Sequence, residues 1–284
     1  MGPKEDTAPT APAGVDTDKP SAARIYDWYL GGTHNWAVDR EFGKRAVQLW
    51  PGMPAMARQN RAFMNRVVEA ALDAGIRQFI DLGSGVPTVG NVHEIIRRKV
   101  PEDEDATVVY VDYEPVAAAH STVILEKDEA TDWAGLVQRD LRDPDAIFED
   151  DTTRALIDFA EPVCVMLIAV MHFIGPHDQP AQIVETYRSR VAPGSWLAIS
   201  HASIENAPEE DTVGVRQMIA NYRNTSNPMW LRDRAEFAPW FGDWTMLDPG
   251  ITRLPDWRPD EEPDDDIRKA SVFGWGGVAE KPRP

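Results

Sequence analysis

Residues 79–85, Phe79-Ile80-Asp81-Leu82-Gly83-Ser84-Gly85, set the reading of the whole chain. An apolar run that closes on glycines marks a strand turning sharply toward a helix, with backbone free to approach a ligand. Upstream of it the spacing predicts only helices. Ser21 is placed to N-cap a short helix, AARIYDWYL, that stops at Gly31-Gly32. A second helix starts near Asp39 and fades at Trp50-Pro51. A third runs from about Pro54 to Asp73, with Met56, Phe63, Met64, Val67 and Ala71 on roughly one face. Downstream, strands and helices alternate. A helix over Asn91–Lys99 precedes the strand in TVVYVDYEP (107–115), and a helix over 116–127 precedes a third strand around Ala134–Asp140. PVCVMLIAV (162–170) is apolar throughout, as in a strand buried on both faces; a helix from about Gln179 to Val191 and the strand SWLAISHA (195–202) follow. DWTMLDPGITRLP (243–255) and SVFGWGGVAEK (271–281) read as two late strands antiparallel to each other, separated by an acidic loop, DEEPDDD (260–266).

The expected architecture is therefore α/β: a Rossmann-like, doubly wound and mostly parallel sheet of seven strands, with an antiparallel C-terminal pair and an N-terminal helical cap. Residues 1–20, rich in Pro, Ala, Asp and Thr without periodicity, read as a disordered arm, 21–76 as the cap or lid and 77–284 as the sheet domain. Of the 284 residues, 43% are hydrophobic, enough for a full core. The formal net charge of −18, from 47 acidic and 29 basic side chains, disfavours nucleic acid and anionic lipid as partners and tolerates a cationic small ligand. A single cysteine, Cys164, excludes an internal disulfide framework and a multi-thiolate metal site. No run approaches the ~18 apolar residues of a membrane span, and the first twenty residues hold no apolar signal core. A cytoplasmic chain is expected.

The glycine loop departs from the dinucleotide pattern G-x-G-x-x-G: Thr88 stands at the third glycine position, and Pro87 removes a backbone donor. Asp81, two residues before Gly83, would repel a pyrophosphate and attract an ammonium or sulfonium. Asp112 ends the second strand, where such folds place a ribose-binding acid. Asp140, in QRDLRDP, closes the third, where a carboxylate can accept from an adenine amino group. Singly, each acid also reads as a surface residue and the loop as an ordinary tight turn. Together they form one rim at the carboxyl edge of a parallel sheet.

Tyr26, Trp28 and Tyr29, followed by Gly31, Gly32, His34 and Asn35, form an aromatic, glycine-broken segment. It reads either as packing on the sheet edge or as a lid whose aromatics, Tyr29 among them, face the acceptor. Arg61 can pair with a ligand carboxylate or form a helix-surface salt bridge. His172, directly after the fourth strand, is a candidate proton acceptor or a packed strand-end histidine, and His201 is a weaker candidate. The 6 histidines show no zinc-ligand spacing, so no metal is expected. Cys164 reads as packing. Trp230, Trp240, Trp244 and Trp257 read as core, with some free to wall an apolar acceptor pocket.

The order DLGSG, VDYEP, RDLRDP and a buried strand before MHF resembles the class I S-adenosylmethionine-dependent methyltransferases. The block ARIYDWYLGGTHNWAVDRE (23–41), with RQNRAFMNR (58–66), IRQFIDLGSGVPT (76–88) and NVHE (91–94), closely resembles the bacterial S-adenosyl methyltransferase family formerly called DUF574. The likeness continues through DPDAI, AVMHF, LAISHA, WRPD and GWGGVAEK, nearly everything after residue 20. It implies S-adenosyl-L-methionine as cofactor. It also implies roles: Asp81, Gly83 and Gly85 at the methionine part, Asp112 at the ribose, Tyr113 as an adenine wall, and Asp140 with Leu141 at the adenine. Ala169 to His172 would line the transfer cleft, with Tyr26, Gly31 and Asn35 on the cofactor side. Pro87 in place of a third glycine is a departure from the class I pattern. A methyltransferase acting on a small-molecule acceptor is the leading expectation. A cofactor-binding regulatory protein without turnover and a NAD(P)-dependent oxidoreductase are the alternatives.

Overall fold

The computed structural model describes residues 16–86, 90–101, 104–223, 225 and 227–283. Residues 1–15 of the expected arm, and Pro87 and Thr88, lie outside the described residues. Three helices precede the first strand: α1 (Ala22–Tyr29), α2 (Ala37–Leu49) and α3 (Met53–Asp73). Strands and helices then alternate as β1 (Gln78–Leu82), α4 (Val92–Lys99), β2 (Thr107–Val111), α5 (Pro115–Lys127), β3 (Ala134–Val137), α6 (Pro144–Phe148) and α7 (Asp151–Leu156). After β4 (Val163–Ile168) come α8 (Pro180–Arg190), β5 (Trp196–Ala202), α9 (Glu209–Tyr222), β6 (Thr245–Met246), β7 (Thr252–Arg253) and β8 (Gly274–Glu280).

The sheet has the order β3-β2-β1-β4-β5-β8-β6, with β7 also paired to β8. The first five strands are parallel and β8 runs antiparallel to β5, β6 and β7. This makes eight strands where seven were expected. The segment 243–255 yields two dipeptide strands, because Asp248-Pro249-Gly250 interrupts it and proline cannot donate to a ladder. Both pieces pair with β8, as the antiparallel expectation required.

Strand alternation divides the core into two faces. Ile80 and Leu82 point into a cluster with Val109, Val111, Leu167 and Tyr187. Phe79 points the other way, to Phe63 and Val67 of α3 and Ile95 of α4. Asp81, in register with Phe79, is thereby aimed at the side that α3 covers. The strand order reverses between β1 and β4, which opens the crevice where ligands bind in such sheets.

Local chemistry sets several element ends. Ser21 occupies the N-cap position of α1, but its hydroxyl is buried without a partner; its N–H instead donates to Asp39 Oδ1 at 3.0 Å. At the other end Gly31 takes φ +83°, Gly31 N–H bonds Trp28 O and Gly32 N–H bonds Asp27 O, a Schellman closure. β3 ends at Val137, three residues before Asp140, which forms a tight turn by accepting from Arg142 N–H at 2.9 Å. The acidic loop is shorter than expected, since Asp264 caps a helix over Asp265–Ala270 by accepting from Ile267 N–H at 2.7 Å.

The cap is tied to the sheet edge by a buried arginine. Arg24 of α1 is 1% exposed; its Nε donates to Asp39 of α2 at 2.8 Å, and it reaches Glu114 ahead of α5 at 3.2 Å. It also donates to the carbonyls of Asp16 and Lys19. A buried arginine shared by two acids and two carbonyls has its donors engaged, which is the condition for keeping the charge inside.

Candidate active site

A cavity of about 380 Å³ lies between the carboxyl edge of the sheet and the cap. Of the fourteen residues given cofactor or catalytic roles from the sequence, twelve line it: Asp81, Gly83, Gly85, Asp112, Tyr113, Asp140, Leu141, Ala169, Tyr26, Tyr29, Arg61 and His172. Gly31 and Asn35 do not. Gly31 is exposed in the turn after α1. Asn35 is buried and donates through Nδ2 to Asp27 at 2.7 Å and to Gly32 O at 2.9 Å, so it fastens that turn.

The floor is the loop after β1. Gly83 and Gly85 both hold positive φ, +72° and +68°, and a side chain at Gly83 would strike Val170 at 2.2 Å, so the loops after β1 and β4 cross there. The loop amides are already committed. Gly83 and Ser84 N–H both reach Val111 O, at 2.7 and 3.1 Å, and Gly85 N–H reaches Asp112 Oδ2 at 2.7 Å. A pyrophosphate cradle needs such amides turned outward, and these three are not.

Asp81 is 5% exposed and accepts no hydrogen bond from any described residue. Burial pushes its carboxyl up to about 7; Arg61 pulls the other way and Asp112 adds to the rise. Arg61 of α3 also lines the cavity and stacks loosely over the Tyr26 ring, 6.0 Å from its centroid, and makes no ion pair within 4.0 Å among the described residues. Two opposite charges thus face one space without neutralising each other. That is the receptor for a zwitterion: an ammonium beside Asp81 and a carboxylate beside Arg61.

Asp112 is 7% exposed, and burial pushes it up to about 6, opposed by backbone hydrogen bonds from Glu114 and Gly85. Each oxygen takes one N–H, Glu114 at 2.9 Å and Gly85 at 2.7 Å, which leaves a lone pair apiece for ligand hydroxyls. Asp140 is half-buried and gripped by Arg142 Nε at 3.0 Å on both oxygens. Burial raises it, but the Arg142 hydrogen bonds outweigh this and hold it below the usual carboxylate range. The sequence reading assigned that carboxylate to an adenine amino group; the structure gives it a guanidinium as well. Tyr113 stands 46% exposed at the rim, its hydroxyl accepting from Asn227.

A hydrogen-bonded chain joins cap and sheet under the cavity. Ala169, held at φ +54° just after β4, donates its N–H to Ser200 Oγ at 2.8 Å. Ser200 donates to Asn60 Oδ1 at 2.6 Å, Asn60 to Tyr26 OH at 2.9 Å, and Tyr26 to Ala57 O at 3.0 Å. Non-glycine residues at positive φ are costly and gather at functional sites. Asn60 and Ser200 escaped the sequence reading. The only signal was their place inside RQNRAFMNR and LAISHA.

His172 is 7% exposed, and its pKa falls well below the ordinary value through burial, with His201 and Arg232 adding to the fall. Its Nδ1 has no hydrogen-bond partner among the described residues. The imidazole is neutral near pH 7 and a weak proton acceptor, suited to hydrogen bonding more than to strong base catalysis. His201 is pushed down to about 3 by burial, and its Nδ1 donates to Ala202 O at 2.8 Å. Tyr29 is 4% exposed, its hydroxyl faces that of Tyr222 with no hydrogen bond within 3.5 Å among the described residues, and burial raises its pKa well above the ordinary value, with Tyr222 adding to the rise. It can act as a donor, not as a base.

Beyond these groups the wall is apolar, and α9, unread from the sequence, supplies Val215, Met218, Ile219 and Tyr222. Of the four tryptophans proposed for core or pocket, Trp230 lines the cavity, while Trp240, Trp244 and Trp257 are core. Cys164 is fully buried in β4, consistent with packing. No helix among the described residues is long and apolar enough to cross a membrane.

A model of the family described as S-adenosyl methyltransferase matches residues 8–282. Two crystal structures are similar over almost the full length. One is a candidate methyltransferase from Thermobifida fusca YX, 34% identical, with TM-score 0.86, covering 96% of this chain and 99% of that one. The other is a DUF574 family protein from Streptomyces avermitilis MA-4680, 36% identical, with TM-score 0.86, covering 94% of this chain and 99% of that one.

Proposed function

The chain belongs to the S-adenosyl methyltransferase family and is an S-adenosylmethionine-dependent methyltransferase, and from that premise we propose how its residues divide the work. Asp81 takes the ammonium of the methionyl group and Arg61 its carboxylate. Asp112 accepts from the ribose hydroxyls while anchoring the Gly83–Gly85 loop. Tyr113, Leu141 and the Arg142-held Asp140 flank the adenine. The observation that carries this assignment is the pair of opposite charges, buried Asp81 and half-buried Arg61, that line one cavity without an ion pair within 4.0 Å between them.

The cofactor, when bound, supplies an electrophilic methyl carbon on a sulfonium, so transfer requires in-line alignment above all, on the order of 7–11 kcal/mol. Alignment here rests on the chain from Tyr26 through Asn60 and Ser200 to Ala169, which fixes the cap against the sheet edge. Gly31 and Asn35 support that cap through the turn after α1. His172 accepts or donates a hydrogen bond at the acceptor, and Tyr29 donates one. We read residues 21–76 as a cap, the acceptor as a small molecule, and the setting as cytoplasmic, the last supported by the one buried cysteine. Calorimetric titration with S-adenosylhomocysteine tests the assignment: micromolar binding lost in Asp81→Asn supports it, and unchanged affinity in that variant removes Asp81 from the site.

A further inference from the structure

The charges of the cavity are not spread evenly. Every acidic side chain on its wall comes from the sheet edge or the loops that leave it: Asp81, Asp112, Glu114, Asp140 and Asp178. The arginines are Arg139 and Arg142 on that same edge, and Arg61 opposite Asp81. The remaining wall comes from α1, the end of α2, the first turns of α3, α9 and the 227–231 segment, and it carries no charge. Its main surfaces are Trp50, Met53, Met218, Tyr222 and Met229, and Phe173, from the turn after β4, adjoins them. Trp50 packs edge-on to Phe273 at 4.7 Å, and Tyr222 lies 6.1 Å from Phe173, whose ring meets His172 at 4.4 Å. Aromatic faces backed by methionines make a wall that adapts to flat apolar molecules.

Polar groups interrupt this surface, the Tyr222 hydroxyl and Asn227 among them, and some of the buried ones that line the cavity are unsatisfied among the described residues. The Tyr29 hydroxyl and His172 Nδ1 are buried and without partners, on side chains that are 4% and 7% exposed. Buried polar atoms are normally paired, so orphans on a cavity wall point to a ligand that pairs them. A charged acceptor in this half would find no counter-charge, and burying an unpaired ion is strongly unfavourable.

We propose that the acceptor is an uncharged aromatic molecule carrying a hydroxyl group, lodged between α9 and the cap, with its hydroxyl turned toward Tyr29 and His172. This rests on the methyltransferase reading of the same cavity. In the transfer the hydroxyl oxygen gains the methyl group, the carbon–sulfur bond breaks with its electron pair returning to sulfur, and the hydroxyl proton is released to water, with His172 Nδ1 orienting the hydroxyl by a hydrogen bond.

The test is calorimetry on the full chain saturated with S-adenosylhomocysteine, with four probes of one ring system: 2-naphthol, 2-methylnaphthalene, 2-naphthoate and 2-naphthylmethylammonium. The expected result is 2-naphthol binding at least tenfold more tightly than either charged probe and at least threefold more tightly than 2-methylnaphthalene. Met218→Glu should weaken 2-naphthol at least tenfold and leave S-adenosylhomocysteine within twofold. Equal or tighter binding of a charged probe, or no binding of 2-naphthol, overturns the proposal. Parity of 2-methylnaphthalene with 2-naphthol overturns the role of the hydroxyl. The charge series needs no variant, so it decides the matter even if Met218→Glu does not fold. Loss of S-adenosylhomocysteine binding in the unmodified protein would instead strike the cofactor assignment beneath it.

Discussion

The sheet edge and the cap share one cavity but are built on opposite chemistry. On the edge, polar groups are tied down in advance: Asp112 holds the Gly85 amide, Arg142 holds Asp140, and Ser200 holds the Ala169 amide. On the cap side the contacts are mostly apolar, the helices pack as a core cluster that includes Trp50, Val215, Met218 and Tyr222, and the Tyr29 hydroxyl is left without a hydrogen bond among the described residues. The edge can recognise one ligand by fixed charges, and the cap can accept several by shape. A cofactor common to a whole family and an acceptor particular to each member would call for that division.

The largest effect expected on the edge is Asp112→Ala. It removes the acceptor for two amides and for ligand hydroxyls, so S-adenosylhomocysteine affinity should fall at least about 100-fold, near 3 kcal/mol. A fall below about threefold by calorimetry would break the claim that the edge is the cofactor half. Asp81→Asn should cost about 10–100-fold by the loss of one charge-assisted contact.

The same Asp81 variant should be the more stable one without ligand. Asp81 sits near 7 in the folded protein against an ordinary value of 3.8. Between those values the folded chain keeps a proton that the unfolded chain has released. Its stability therefore falls as pH rises from about 4 to about 7, and stays lower above. Asparagine removes that loss. At pH 8 the melting temperature of Asp81→Asn should rise by several degrees, at roughly 2–4 °C per kcal/mol, with little change at pH 4. A lower melting temperature at pH 8 would show that Asp81 stabilises the fold.

How much of this was legible follows from the same contrast. Acids at strand ends and glycines after a strand are local features, so Asp81, Gly83, Gly85, Asp112 and Asp140 could be found from short stretches. The cap wall is assembled from helices far apart in sequence, and Met218 or Tyr222 on α9 look like any core residue until the fold brings them to Trp50 and Phe173. Gly31 and Asn35 were placed on the cofactor side by the family resemblance, yet neither lines the cavity. In the structure they close α1 and hold Asp27, contacts that no local pattern distinguishes from ligand contact. The strand count differs at 243–255 because the whole segment was read as one strand across Asp248-Pro249-Gly250, which splits it in two.

Two smaller effects sharpen the comparison. Gly31→Ala should cost about 1 kcal/mol of stability, since φ +83° suits only glycine there, while S-adenosylhomocysteine affinity stays within twofold; thermal melts and calorimetry read both. His172→Phe should leave that affinity within about threefold, because the histidine serves the acceptor half. A tenfold loss would move it to the cofactor half.

The most direct measurement of the central claim is the pH dependence of S-adenosylhomocysteine binding, in wild type and in Asp81→Asn, with NADH as the control ligand. An ionised Asp81 is the form that holds an ammonium, and its folded value is near 7. The account predicts wild-type affinity rising about five- to tenfold from pH 6 to pH 8, no such rise in Asp81→Asn, and no NADH binding to either. A flat wild-type profile, or NADH binding in place of S-adenosylhomocysteine, would contradict it.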